Sequence, residues 1–156
     1  MKFEILCIIF VYSCSYTYAS NVNFHNRCRY SVNVIHTANG QSPVSECNLR
    51  PGKSCSRDYG SNGMNFKNGK RGKTLAEFSF NSWNGLDFYD LSVIVGYDTP
   101  MQITTSIGGP TVTCTHAKCP NAYLYPSDNK KTHGTKTGGT FNVNFWKSQS
   151  RKSRSR

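Results

Sequence analysis

Residues 74–103 read TLAEFSFNSWNGLDFYDLSVIVGYDTPMQI, and the fold is decided here. Over residues 75–80 the side chains alternate: Ala76, Phe78 and Phe80 share one face, and Leu75, Glu77 and Ser79 share the other, the period-two pattern of a half-buried strand. Asn84-Gly85 then supplies the dipeptide that best tolerates positive φ in a tight hairpin turn. Residues 86–95 follow as a longer run of β-branched and aromatic residues. The run is nearly continuous in apolar character after Asp90, as in a strand covered on both faces. The stretch therefore predicts a two-stranded hairpin with one carboxylate, Glu77 and Asp90, in each arm.

Working outward, the same alternation recurs at residues 21–26 (Val22, Phe24), 30–36 (Tyr30, Val32, Val34) and 141–145 (Phe141, Val143, Phe145). Residues 101–107 read as a strand after Pro100, and residues 111–114 as a further short one. Residues 122–125 are aromatic, whereas 59–73 carry four glycines and predict a loop with at most a short strand around 64–66. Residues 130–140 are polar and glycine-bearing. No window has a persuasive helical period and no segment repeats, so short strands punctuated by turns predict an all-β sandwich.

A chain of 156 residues is the length of one domain. Its first twenty residues have the layout of a secretory leader: Met1-Lys2, an apolar core over 5–12 and small residues at Ala19-Ser20. That run is too short to span a bilayer, and no later stretch is longer. The organisation expected is a leader over 1–20, a β-sandwich over 21–147 and a basic, disordered tail over 148–156, the mature protein being secreted, extracellular and monomeric. Export places the cysteines in an oxidising environment, where they act as staples. Five lie beyond the leader. Cys47 and Cys55 flank a Pro51-Gly52 turn and suit a bridge across the arms of a hairpin over residues 42–58, at a sheet edge. Cys114 and Cys119 suit a bridge closing a short loop. A zinc site recruiting His116 lacks the second ligand pair that structural zinc requires. The remaining histidines, His25, His36 and His133, are scattered, and no nucleophile elbow or phosphate-binding glycine loop occurs. No metal or cofactor is expected.

The formal net charge is +11, concentrated in residues 67–73 (KNGKRGK) and in the tail. Such a field attracts phospholipid headgroups, acidic polysaccharide or nucleic acid, or else keeps the surface solvated. Without an aromatic-and-basic reading face, only nonspecific phosphate attraction follows, so no specific nucleic acid is expected.

The stretches TLAEFSFN (74–81), LDFYDLS (86–92) and TPM (99–101) resemble the central hairpin of thaumatin-like proteins. VNFHNRC (22–28) resembles the family's first strand, and CPNAY (119–123) and FNVNF (141–145) its closing segments. The resemblance implies a flattened antiparallel β-sandwich, and the chain's length resembles that of the small members lacking the cysteine-rich second domain. In the family the cysteine matching Cys28 pairs with one near the C-terminus, where this chain has Trp146. Either Cys28 is a free, buried thiol or it has another partner. The resemblance also implies a cleft built from an arginine, a glutamate and three aspartates, in which some members bind or slowly hydrolyse β-1,3-glucans. Glu77 matches the glutamate and Asp90 one aspartate. Met64, Val95 and Asn121 stand at the other positions.

A glycosidase needs one carboxyl protonated and one ionised. With the other acidic positions lost in a strongly positive chain, Glu77 and Asp90 are expected as surface polar residues, both ionised near neutral pH. The reading is a non-enzymatic defence or host–microbe protein binding a polysaccharide or anionic cell surface through Met64, Glu77, Asp90, Val95 and Asn121. The alternatives are a weak endo-β-1,3-glucanase using Glu77 and Asp90, and a cationic membrane-active protein using the basic loop and tail. Truncation after Lys147 is predicted to leave the melting temperature unchanged while lowering retention on anionic surfaces at low salt, because exposed charges act over only about 8 Å at physiological ionic strength.

Overall fold

The computed structural model describes residues 19–146. Almost all of the expected leader and the whole tail over 148–156 lie outside them. Twelve strands follow one another: β1 (Ser20–Arg27), β2 (Val32–Ala38), β3 (Val44–Leu49), β4 (Ser54–Tyr59), β5 (Gly63–Asn68), β6 (Leu75–Ser79), β7 (Leu86–Ser92), β8 (Met101–Thr105), β9 (Val112–Cys114), β10 (Ala122–Tyr123), β11 (His133–Lys136) and β12 (Thr140–Trp146). A five-stranded sheet in the order β4-β1-β12-β8-β9 packs on a seven-stranded sheet in the order β10-β7-β6-β5-β2-β3, with β11 also paired to β7. The only helical turn among the described residues is a single 3-10 turn at Trp83–Gly85. The all-β sandwich read from the alternation is the fold.

The alternating residues supply the core. Val22 and Phe24 of β1, Phe66 of β5, Phe78 of β6, Tyr89 of β7 and Phe141, Val143 and Phe145 of β12 are all buried between the sheets. Their rings form a continuous series, with centroids 4.8 Å apart for Phe24 and Phe66 and 5.4 Å for both Phe78–Phe141 and Tyr89–Phe141. Tilted and edge-on contacts at these separations stabilise beyond the area that they bury. The hairpin turn is as the sequence demands, with φ of 56° at Asn84 and 67° at Gly85.

Four features depart from the sequence reading. First, the sandwich is not wholly antiparallel. The first strand and the last pair in parallel, Val22 with Phe141 and Phe24 with Val143, and β10 runs parallel to β7. Secondly, residues 42–58 are not a hairpin. β3 pairs with β2 in the seven-stranded sheet, and β4 pairs with β1 in the five-stranded sheet. The turn at Pro51-Gly52 carries the chain from one sheet to the other, and the Cys47–Cys55 disulfide ties together the two edge strands that it links. A second bridge joins Cys114 to Cys119, and Cys28 is a buried free thiol among the described residues. Thirdly, residues 63–68 form a full strand inside the seven-stranded sheet, and β11 forms from the polar 133–136. Both are glycine-bearing and polar outside, so neither has much apolar signal. Fourthly, β7 stops at Ser92. The Val93 N–H leaves the β6 ladder for the Tyr123 carbonyl, and a turn closes as the Gly96 N–H donates to the Val93 carbonyl, which exposes Ile94 and Val95.

Ser20, assigned by sequence to the leader, belongs to the fold. It is fully buried, and its hydroxyl donates to the Asp87 carboxyl. Asp87 is also fully buried and accepts from the Asn81 N–H at 2.8 Å and the Thr137 hydroxyl at 2.8 Å. Leader removal is therefore predicted after Ala19, with N-terminal sequencing of exported protein starting at Ser20. A start at Asn21 would place the cut inside β1. Asp87→Ala strands three donors, the Ser20 hydroxyl fully buried and the other two part-buried, and is predicted to cost about 3 kcal/mol in urea unfolding, with Asp87→Asn, which keeps an acceptor oxygen, losing less.

Candidate functional site

The seven-stranded sheet turns one face to the core and the other outward. On the outer face, strand register aligns Thr37 of β2, Asn65 of β5, Glu77 of β6 and Asp90 of β7 in one row, since Thr37 faces Asn65, Asn65 faces Glu77 and Glu77 faces Asp90. Directly opposed residues have Cβ atoms roughly 4.5–5.5 Å apart, so the two carboxyl groups are forced together.

Their environment is not that of solvated surface acids. Asp90 is only 8% exposed. Its Oδ2 accepts from the Thr132 hydroxyl at 2.9 Å, and Thr132 is held in turn by the Tyr123 hydroxyl at 2.8 Å. Asp90 Oδ1 is buried and accepts no hydrogen bond among the described residues. Glu77 is half-buried and hydrogen-bonds to Asp90 and Ser92. Burial first, and the adjacent Glu77 charge second, push the Asp90 carboxyl up to about 8. Burial also raises Glu77, but the hydrogen bonds from Asp90 and Ser92 oppose the rise. The pair thus holds one proton between two carboxyl groups at neutral pH. The expectation that both carboxylates stay ionised is overturned, because two like charges in a desolvated contact cannot both persist.

The remaining positions named from sequence do not join this pair. Met64 is buried in the core opposite Phe78. It lies one residue out of phase with the outer row, and a one-residue step on a strand reverses the face. Asn65 occupies the place opposite Glu77, and Lys67 lies two residues along the same face. Val95 and Asn121 are exposed on the two loops at the C-terminal end of β7. They flank the acidic pair without contributing charge. Sequence reasoning missed Thr132 and Tyr123, which lie in segments distant from Asp90 along the chain. Among the described residues no group of three or more histidine, cysteine, aspartate or glutamate side chains could hold a metal ion, and no helix is long and apolar enough to cross a membrane.

The model of the Thaumatin family matches residues 19–117. A thaumatin-like protein of Oryza sativa subsp. japonica is 35% identical over 153 residues, covering 81% of this chain and 85% of that protein. The thaumatin-like pathogenesis-related protein 2 of Avena sativa is 31% identical, covering 65% of this chain and 68% of that protein. Among solved structures, the protein elicitor MoHrip2 from Magnaporthe oryzae superposes with a TM-score of 0.63 at 20% identity over 81% of this chain and 98% of that chain. The thaumatin-like xylanase inhibitor TLXI gives 0.60 at 19% identity, over 80% of this chain and 97% of that chain. The structural matches carry the fold, the sequence matches carry the kinship, and together they make this chain a member of the thaumatin family.

Proposed function

We propose that this protein is a secreted, defence-type member of its family that binds a polysaccharide or cell surface on the outer face around Glu77 and Asp90 without hydrolysing it. The observation that carries the non-catalytic part is the contact between the two carboxyl groups. Glycosidases of the paired-carboxylate type hold them about 5–5.5 Å apart when retaining and about 6.5–9.5 Å apart when inverting, leaving room for the sugar or a water. Here the two carboxyl groups hydrogen-bond to each other across neighbouring strands, closer than either spacing. A proton donor is present, contrary to the expectation from net charge, but it is aimed at the wrong acceptor. The names of the cereal relatives, pathogenesis-related proteins, support a role in defence. The inhibitor among the structural neighbours supports the view that this fold serves recognition as well as turnover. The exposed Val95 and Asn121 and the half-buried Asn65 and Lys67 offer polar and apolar contacts around the pair.

The test is retention of the mature protein on insoluble β-1,3-glucan in high salt, run beside reducing-sugar release from laminarin by wild type, Glu77→Gln and Asp90→Asn. Retention without release is expected from all three. Turnover by wild type that vanishes in either variant overturns the reading in favour of a glucanase.

The shared proton also has a thermodynamic signature. The folded state keeps the Asp90 proton up to about pH 8, whereas the unfolded chain releases it near the ordinary value of 3.8. Folding therefore takes up a proton between those limits. The stability that the pair contributes is complete below the lower value and lost as pH rises through the upper one. Asp90→Asn, which keeps the shape without the charge, is predicted to gain stability relative to wild type from about pH 4 to about pH 8 and to level off above. A flat difference across that range would show that the pair does not share a proton.

A further inference from the structure

The strand registers sort the loops into two poles. β1 and β12 end where β8 begins, and in the other sheet β2 and β6 begin where β5 and β7 end. The loops over 28–31, 50–53, 69–74 and 93–100 therefore gather at one pole. Hydrogen bonds knit them together: the Gly69 N–H donates to the Asn33 carbonyl, the Trp146 N–H to the Pro100 carbonyl, and the Lys73 and Thr74 N–H groups to the Asp98 carboxyl.

Charge follows this sorting. Arg29, Arg50, Lys53, Lys70, Arg71 and Lys73 lie on these loops and are exposed. The acid that these loops carry is Asp98, whose two oxygens are occupied by the backbone of 73–74. The other carboxyl groups sit mid-sheet (Glu46, Glu77, Asp90), at the opposite pole (Asp58, Asp87) or on the 124–132 loop (Asp128). Six exposed cations against one carboxylate already engaged by backbone make a positive field at this pole.

A pocket of about 340 Å³ opens at this pole, between the end of β1 and the start of β4, lined by His25, Arg27, Lys53 and Ser54 with Cys28 in its wall. No carboxyl group lines it. Its frame is rigid. The Asn26 side chain donates to the Tyr30 and Leu49 carbonyls at 2.8 Å each and accepts from the Cys28 N–H at 2.8 Å, and the Gly52 N–H donates to the Asn26 carbonyl. Arg27 is pre-oriented: its Nε donates to Asn144 Oδ1 at 2.9 Å, and its guanidinium lies 4.9 Å from the Trp146 ring centroid. Among the described residues its two terminal nitrogens have no partner. A guanidinium fixed through Nε and its flat face presents those nitrogens as a fork that matches a carboxylate.

We propose that this basic pole is a second recognition surface, for the carboxylate-bearing sugars of an acidic polysaccharide, with one uronate seated in the Arg27–Lys53 pocket and its neighbours on the 50–53 and 69–74 loops. It stands apart from the Glu77–Asp90 face and does not depend on the function proposed for that face. A recess with polar walls accepts one ring of a polymer, and cations on several loops suit charges repeated along a chain. Ile94 and Val95 are exposed on the 93–100 loop of the same pole, so a bilayer is the competing ligand.

The test is titration of the mature full-length protein with polygalacturonate at physiological salt. The comparisons are Arg27→Gln/Lys53→Gln and, with the same loss of charge at the opposite ends of the strands, Arg57→Gln/Lys136→Gln. The pocket variant is expected to bind roughly tenfold more weakly and the control less than twofold more weakly, with retention on neutral β-1,3-glucan unchanged in both. Lys53→Gln alone, which leaves the Arg27–Trp146 stack intact, is expected to lose about threefold, so a folding defect in the double variant does not obscure the result. Equal losses in the pocket and control variants would mean that net charge alone attracts the polymer and would overturn the proposal. So would tighter binding to phosphatidylserine vesicles than to polygalacturonate, since the pole would then be a lipid surface.

Discussion

Two buried polar side chains, one at each end of β1, govern whether the two sheets can close on each other. At one end the Asp87 carboxyl gathers the Ser20 hydroxyl, the Asn81 N–H and the Thr137 hydroxyl, joining the first strand to the hairpin of the opposite sheet. At the other end Asn26, almost fully buried, satisfies two carbonyls and one N–H from 28–30 and Leu49. A buried polar group without its partners costs as much as several favourable contacts return. Each hub is thus tolerable only in the complete arrangement. The aromatic series between the sheets supplies the attraction, and the hubs decide which arrangement can accept it.

The alternating strands and the turn at Asn84-Gly85 were legible because period two and positive φ are local properties of a few residues. Fold class followed from them. Register across strands is not local, and this is where the reading lost its grip. Met64 differs from Asn65 by one position, yet one side chain enters the core and the other stands beside Glu77. The cysteines at 47 and 55 signalled proximity correctly, but spacing alone cannot tell a hairpin from a crossing between sheets. Asp87 looked like one more polar residue in an apolar run. Its inward place shows only when the strand is set against β1 and the 137–140 segment.

The acidic pair illustrates the same limit in electrostatic terms. Net charge suggested that every carboxylate in so basic a chain should be ionised, as long-range attraction would favour. Desolvation and a like charge in direct contact act over shorter distances and dominate. Six of the cations stand on the loops of one pole, while Glu77 and Asp90 occupy the middle of a sheet. The molecule therefore offers two chemically distinct faces. One carries the acidic pair in the middle of a sheet; the other is strongly positive.

The parallel pairing of β1 with β12 has a consequence for how the protein is made. The first described strand lies inside its sheet, and one of its two neighbours is the last described strand. Until residues 141–143 are available, Val22 and Phe24 lack their β12 partners, and closing so long a loop is entropically slow. Closure of this sheet thus waits for the β12 segment, and a polypeptide whose sheet has not closed remains able to pass lengthwise through a narrow channel.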